Sequence, residues 1–178
     1  MIPHLTPLIT KDTIAKYKEI SDSVQPKKIN PFILSAQRED VKALLGERLY
    51  NDVVRNREDH EELLKGGDYE HEGELYFSDG LECVIALYSN ARYIYLGQTT
   101  DTPYGHVNKL NANNASAPIS EASKKSEWLE NRKEAYTCWK TVEDYLNRTN
   151  YNLFGENMCV NDSGNVGGGF MNFSVITK

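Results

Sequence analysis

The chain has no block of basic residues. Lys27-Lys28 and Lys124-Lys125 are pairs rather than patches, whereas tight nucleic-acid binding needs clustered Lys and Arg to release counterions from phosphates. A DNA-binding module is therefore not expected. Cysteines are scarce as well. Cys83, Cys138 and Cys159 are odd in number, far apart and without a CxxC spacing, which argues against zinc fingers and disulfide scaffolds. Cys83 falls in an apolar stretch and Cys138 stands beside Trp139, so buried free thiols in a reducing compartment are expected. The longest apolar run, Cys83 to Tyr88, is far short of the roughly 20 residues that a membrane span needs. The start MIPHLTPLIT lacks the basic residues and apolar core of a signal peptide. Synthesis in the cytosol and no membrane partner are the expectations.

What is present suits one domain. The 178 residues can bury a real core, with 26% charged and 39% hydrophobic residues. Eleven tyrosines are many for this length, and Tyr, apolar in body and polar at its tip, favours interfaces. The net charge of −6 is uneven. From Arg57 to Glu82 ten acids face two bases, a local −8 that leaves +2 for the remainder.

Periodicity predicts helices almost throughout. Thr10 can cap a short helix through about Ser21, with Ile14, Tyr17 and Ile20 on one face. Asn30-Pro31 reads as the cap and first position of the next. Its apolar face runs through Phe32, Ile33, Ala36, Val41, Leu44 and Leu45, and Gly46 can end it. Further helical pieces are expected from Glu47 to about Arg55 and in EDHEELLKGG. The acidic DYEHEGELYFSDG reads as a solvated connection, after which Ser78 or Asp79 caps a helix from about Gly80 to Leu96. That helix is apolar on two faces and belongs at the centre. Ser120 caps the last helix, whose seam is Trp128, Ala135, Trp139, Val142 and Leu146. The expected class is all-α, a bundle of four to five helices. It carries a long polar loop (about 97–119) and an extended C-terminal tail with one short strand within Phe170 to Ile176. Residues 1–154 form the helical domain, and 155–178 a flexible Gly-rich segment and terminal arm.

Chemistry is hard to find in this pattern. His71 is flanked by Glu70, Glu72 and Glu74, and His60 by Glu61 and Glu62, but neither has a second histidine at i,i+4, so an exposed acidic loop is favoured over a metal site. A Cys138–His106 pair is disfavoured because Cys138 falls mid-helix, where a buried thiol is inert. SGNVGGGF lacks the Lys-Ser/Thr end of a phosphate loop. No carboxylate pair is placed for acid–base work. No catalytic, metal or cofactor site is predicted, and the chain is not expected to be an enzyme.

About twenty residues from Thr99 to Ser120 are mostly Asn, Thr, Ser, Ala, Pro and Gly, a length that compact domains tolerate mainly when the loop has a task. The order ALLGERLYNDV, ELLKGGDY, DGLECVIALYSNARYI and then TDTPYGHVNKLN resembles the small helical proteins encoded near the portal in tailed phages of gut Bacteroidetes, including the crAss-like group. Those are similar to phage head–tail connector proteins, also called adaptor or neck ring proteins. The resemblance covers roughly residues 10 to 150 and carries no catalytic signature. It implies a structural virion protein at the neck, in a ring of commonly about twelve subunits. Such a ring contacts the portal and the downstream neck or tail ring proteins, and DNA passes through it without sequence-specific binding. On that reading the polar loop, with Thr102, Tyr104, His106, Lys109, Asn111, Asn113 and Asn114, engages the channel or a neighbour. Phe170 and Phe173 belong to a terminal arm able to add to another chain's sheet edge. A tail-completion or stopper protein is the alternative within phage assembly. A cytosolic helical regulator or an uncatalogued hydrolase are alternatives outside it. A ring joins unlike patches of successive subunits, and the acidic stretch around Glu70, Glu72 and Glu74 is expected to face a neighbour's bases. Reversing those three glutamates to lysine is expected to weaken ring formation, measured as solution mass; intact rings at low salt would overturn that contact.

Overall fold

The computed structural model describes residues 6–97, 99–102, 105–108 and 120–155. Along them run α1 (Lys11–Ala15), α2 (Pro26–Ala36), α3 (Lys42–Leu45), α4 (Glu47–Arg55), α5 (Glu61–Lys65), β1 (Gly67–His71), β2 (Glu74–Ser78), α6 (Gly80–Leu96), β3 (Thr99–Thr102), β4 (Gly105–Asn108) and α7 (Glu121–Arg148). A π-turn, Gln37–Val41, joins α2 to α3, and a 3-10 turn, Arg57–His60, leads into α5.

The all-α expectation is overturned by two antiparallel hairpins, β1–β2 and β3–β4. The first occupies the segment expected to be a solvated connection. Its loop is the two residues Glu72-Gly73, with φ of 54° and 82°, the left-handed pair that matches strand twist in tight hairpins. Tyr69 faces Tyr76 and Glu70 faces Leu75 across the ladder. The second lies within the supposed long loop, pairing Thr99 with Asn108 and Thr102 with Gly105. Its β-branched Thr99, Thr100, Thr102 and Val107 suit a strand better than the polar composition suggests. The terminal strand expected within 170–176 lies outside the described residues.

Helix boundaries moved where burial outweighed local signals. Thr10 caps α1 as expected, in a reciprocal capping box with Thr13, but the helix stops at Ala15 because Lys16 to Ser21 offers little to bury. The second helix starts not at Pro31 but at Pro26, a proline equally suited to the first position. The extra turn carries Ile29, which is wholly buried. Pro31 then sits inside the helix, where it has no N–H to give to the Lys27 carbonyl.

α6 is the central element. Every residue from Gly80 to Ala91 except Glu82 is buried, and the helix packs against α7, α2, α5 and α1. α7 presents Ala135, Trp139, Val142 and Leu146 to it, the expected seam, while Trp128 is only half-buried. The Asn90 amide donates to Asn131 Oδ1 at 3.3 Å across the same contact. The π-turn brings the carboxylate of Asp40 inward, where Arg92 of α6 and Arg132 of α7 hold it at 2.7 and 3.0 Å. Glu39 and Ser35 take further bonds from Arg92.

The hairpin β1–β2 leaves and rejoins the core through one tight crossing. Gly66 ends α5 and Gly80 opens α6, with φ of 69° and 77°. A Cβ on Gly66 would stand 2.5 Å from Gly80 N, and one on Gly80 2.5 Å from Lys65 C. Both are glycines because of φ and because there is no room. Gly66→Ala and Gly80→Ala are each expected to cost about 2–4 kcal/mol, adding steric displacement to left-handed strain. Gly73→Ala, also at positive φ but in open space, is expected to cost about 1 kcal/mol. Denaturant titration of the three variants measures the difference, and equal losses would refute the crossing as a constraint.

Candidate functional site

Alternation along the first hairpin separates two faces. Tyr69, His71, Tyr76 and Ser78 turn toward the helices, while Asp68, Glu70, Leu75 and Phe77 turn away. Leu75 is 73% exposed and Phe77 59% exposed. Each sits directly opposite an acid, Glu70 beside Leu75 and Asp68 beside Phe77. Large apolar side chains on an outward face, rimmed by charge, mark interaction surfaces. Each strand also keeps one backbone edge unpaired among the described residues.

The inner face is braced by aromatics. Tyr69 meets Tyr145 edge-on at 5.0 Å and stacks on Tyr76 at 5.8 Å, and Tyr145 continues to Tyr151 at 5.9 Å. Arg148, in the last turn of α7, lies 3.9 Å from the centre of the Tyr76 ring and donates to Tyr69 Oη at 2.9 Å. Cation–π contact and hydrogen bond together fix the hairpin on the end of α7. The row ends at His60, whose Nδ1 lies 2.8 Å from Tyr151 Oη and whose Nε2 lies 3.0 Å from Asp52 Oδ2. His60 is buried, which corrects its reading as part of an exposed acidic loop. Several of the tyrosines thus serve the interior of the molecule.

The three glutamates expected to share one contact are distributed. Glu70 is on the outward face, Glu72 is in the turn, and Glu74 sits opposite His71 and accepts from Tyr76 Oη at 2.8 Å. Thr102 and His106 belong to the second hairpin, where His106 pairs with Asp101. Tyr104, Lys109, Asn111, Asn113, Asn114, Phe170 and Phe173 lie outside the described residues.

Residues 41–164, well over half the chain, match the model of a family of unknown function, DUF6712. The chain belongs to the DUF6712 family. No curated protein and no solved structure matches it. The DUF6712 region runs from the end of the π-turn through α7 and so includes the whole first hairpin and its brace. Leu75 and Phe77 are the site residues that charge counting passes over. Their signal was the two-residue Glu72-Gly73 turn between alternating strands. Cys83 and Cys138, treated separately in the sequence, are brought side by side.

Burial raises two tyrosines of the brace, Tyr145 and Tyr151. Tyr145 is raised by burial first and by Glu62 next, and Tyr151 is pushed up to about 12, again chiefly by burial. The folded state holds these phenols protonated, whereas in the unfolded chain they ionise near pH 10. Their contribution to stability is therefore full below about pH 10 and is lost as pH rises from there through about 12. In an alkaline titration followed by tyrosinate absorbance and circular dichroism, exposed tyrosines are expected to ionise first, and Tyr145 and Tyr151 only as the fold opens. All eleven ionising together near pH 10 with helicity intact would contradict the brace.

Proposed function

We propose that this chain is a structural virion protein of the head–tail connector type, forming a ring beneath the portal through which genome DNA passes. The observation that carries the reading is the outward face of β1–β2. Leu75 and Phe77 stand exposed on a rigid support, the arrangement of an interface centre with a charged rim. A ring needs unlike patches to meet between successive subunits. The −8 stretch that includes this face, against the +2 remainder, supplies opposite signs for that meeting. The second hairpin, β3–β4, is the element expected to reach the channel, the portal or an adjacent ring. The portal and the downstream neck or tail proteins are its proposed partners, and the neck of the virion is its proposed location.

The test is solution mass by light scattering, for the chain alone and mixed with a candidate portal protein. Rings, or transfer of the chain onto the portal, are expected. The double variant Leu75→Asp, Phe77→Asp is expected to keep its helical spectrum and lose assembly, because two buried anions at an interface centre cannot be compensated. A monomer under both conditions would overturn the connector reading. Assembly unchanged in the double variant would move the contact off this hairpin.

A further inference from the structure

Independently of any ring, α6 and α7 bring three metal-type donors together. Asp79 occupies the cap position of α6, and Cys83 follows one turn later on the same side. Cys138 arrives from α7, placing its Sγ 3.0 Å from that of Cys83. One carboxylate oxygen of Asp79 and both sulfurs lie within 4.8 Å of one another. Cys83 is buried, while Asp79 and Cys138 are half-buried at the edge of a cleft of about 510 Å³.

Thr141 fixes the carboxylate. Its Oγ1 accepts the Asp79 backbone N–H at 3.0 Å and lies 2.8 Å from Asp79 Oδ2, where it donates. Ligating carboxylates are held by outer partners of this kind. Two sulfurs and a carboxylate oxygen this close together are the donor set that a thiophilic divalent cation takes.

We propose that Asp79, Cys83 and Cys138 form a binding site for a zinc-type divalent cation, with a fourth coordination position open to the cleft. Two sulfurs exclude the hard cations calcium and magnesium, and two sulfurs with one oxygen suit a tetrahedral borderline ion. Thiolates at about 2.3 Å from such an ion stand about 3.8 Å apart, so the pair needs to open by less than about 1 Å, a small side-chain adjustment. On binding, both thiol protons pass to solvent and the two thiolates become ligands. The ion then ties α6 to α7 next to the base of the first hairpin.

The test uses the full chain, reduced and stripped of metal, titrated with Co²⁺ and then Zn²⁺. One equivalent of Co²⁺ is expected to give thiolate charge-transfer absorption and the intense visible bands of a tetrahedral site, both removed by Zn²⁺. Cys138→Ser, at the half-exposed position, is expected to abolish the charge-transfer band while the helical spectrum persists. Asp79→Asn is expected to weaken binding by more than about tenfold. Absence of the band with both thiols reduced, or its survival in Cys138→Ser, would overturn the site. Unchanged affinity in Asp79→Asn would overturn the three-donor assignment.

Discussion

A carboxylate withdrawn from water is tolerable only when positive charge and hydrogen bonds replace its hydration, and Asp40 receives both from Arg92 and Arg132. The three residues come from the π-turn, α6 and α7, so one interaction sets the relative rotation of the three longest helical segments. The π-turn has its place in that scheme, because an extra residue in the turn re-aims the side chains that follow. Removing one partner from such a group typically costs about 3–5 kcal/mol, comparable to the net stability of many domains. Packing of α6 on α2 and α7 is the most extensive between helices, but apolar seams slide where this charged junction does not.

The first hairpin divides its large side chains between a braced inner face and an exposed outer one. Tyr69, Tyr76, Tyr145 and Tyr151 stiffen the inner side of the first hairpin, and Phe77 with Leu75 is left on the outer side. A surface stiffened from behind loses little conformational entropy when something lies on it, which favours association. Four of the eleven tyrosines, a residue type read in the sequence as a hint of interfaces, brace the inner face of the first hairpin instead.

The long helices were legible because their apolar spacing repeats over many turns. The α7 seam and the caps at Thr10 and Ser120 needed no tertiary information. The first hairpin was obscured by its acids, since charge counting treats Asp68, Glu70, Glu72 and Glu74 alike although the strand period puts them in different surroundings. Contacts that join distant positions left no local trace. Asp40 and Arg92 are 52 residues apart, Cys83 and Cys138 are 55 apart, and His60 and Tyr151 are 91 apart. A lone buried histidine and two solitary cysteines look inert until the helices are assembled.

The meeting of Gly66 with Gly80 has an evolutionary consequence. Because the chain enters and leaves the first hairpin at the same point, the helices on either side behave as if α5 ran directly into α6. Whatever lies between is a cassette, and lengthening it changes closure entropy only with the logarithm of its length. The outward face and the turn can therefore change without disturbing the core, provided both glycines and the inner-face contacts of Tyr69 and Tyr76 with α7 stay. Such a molecule can change what it touches faster than it changes what it is.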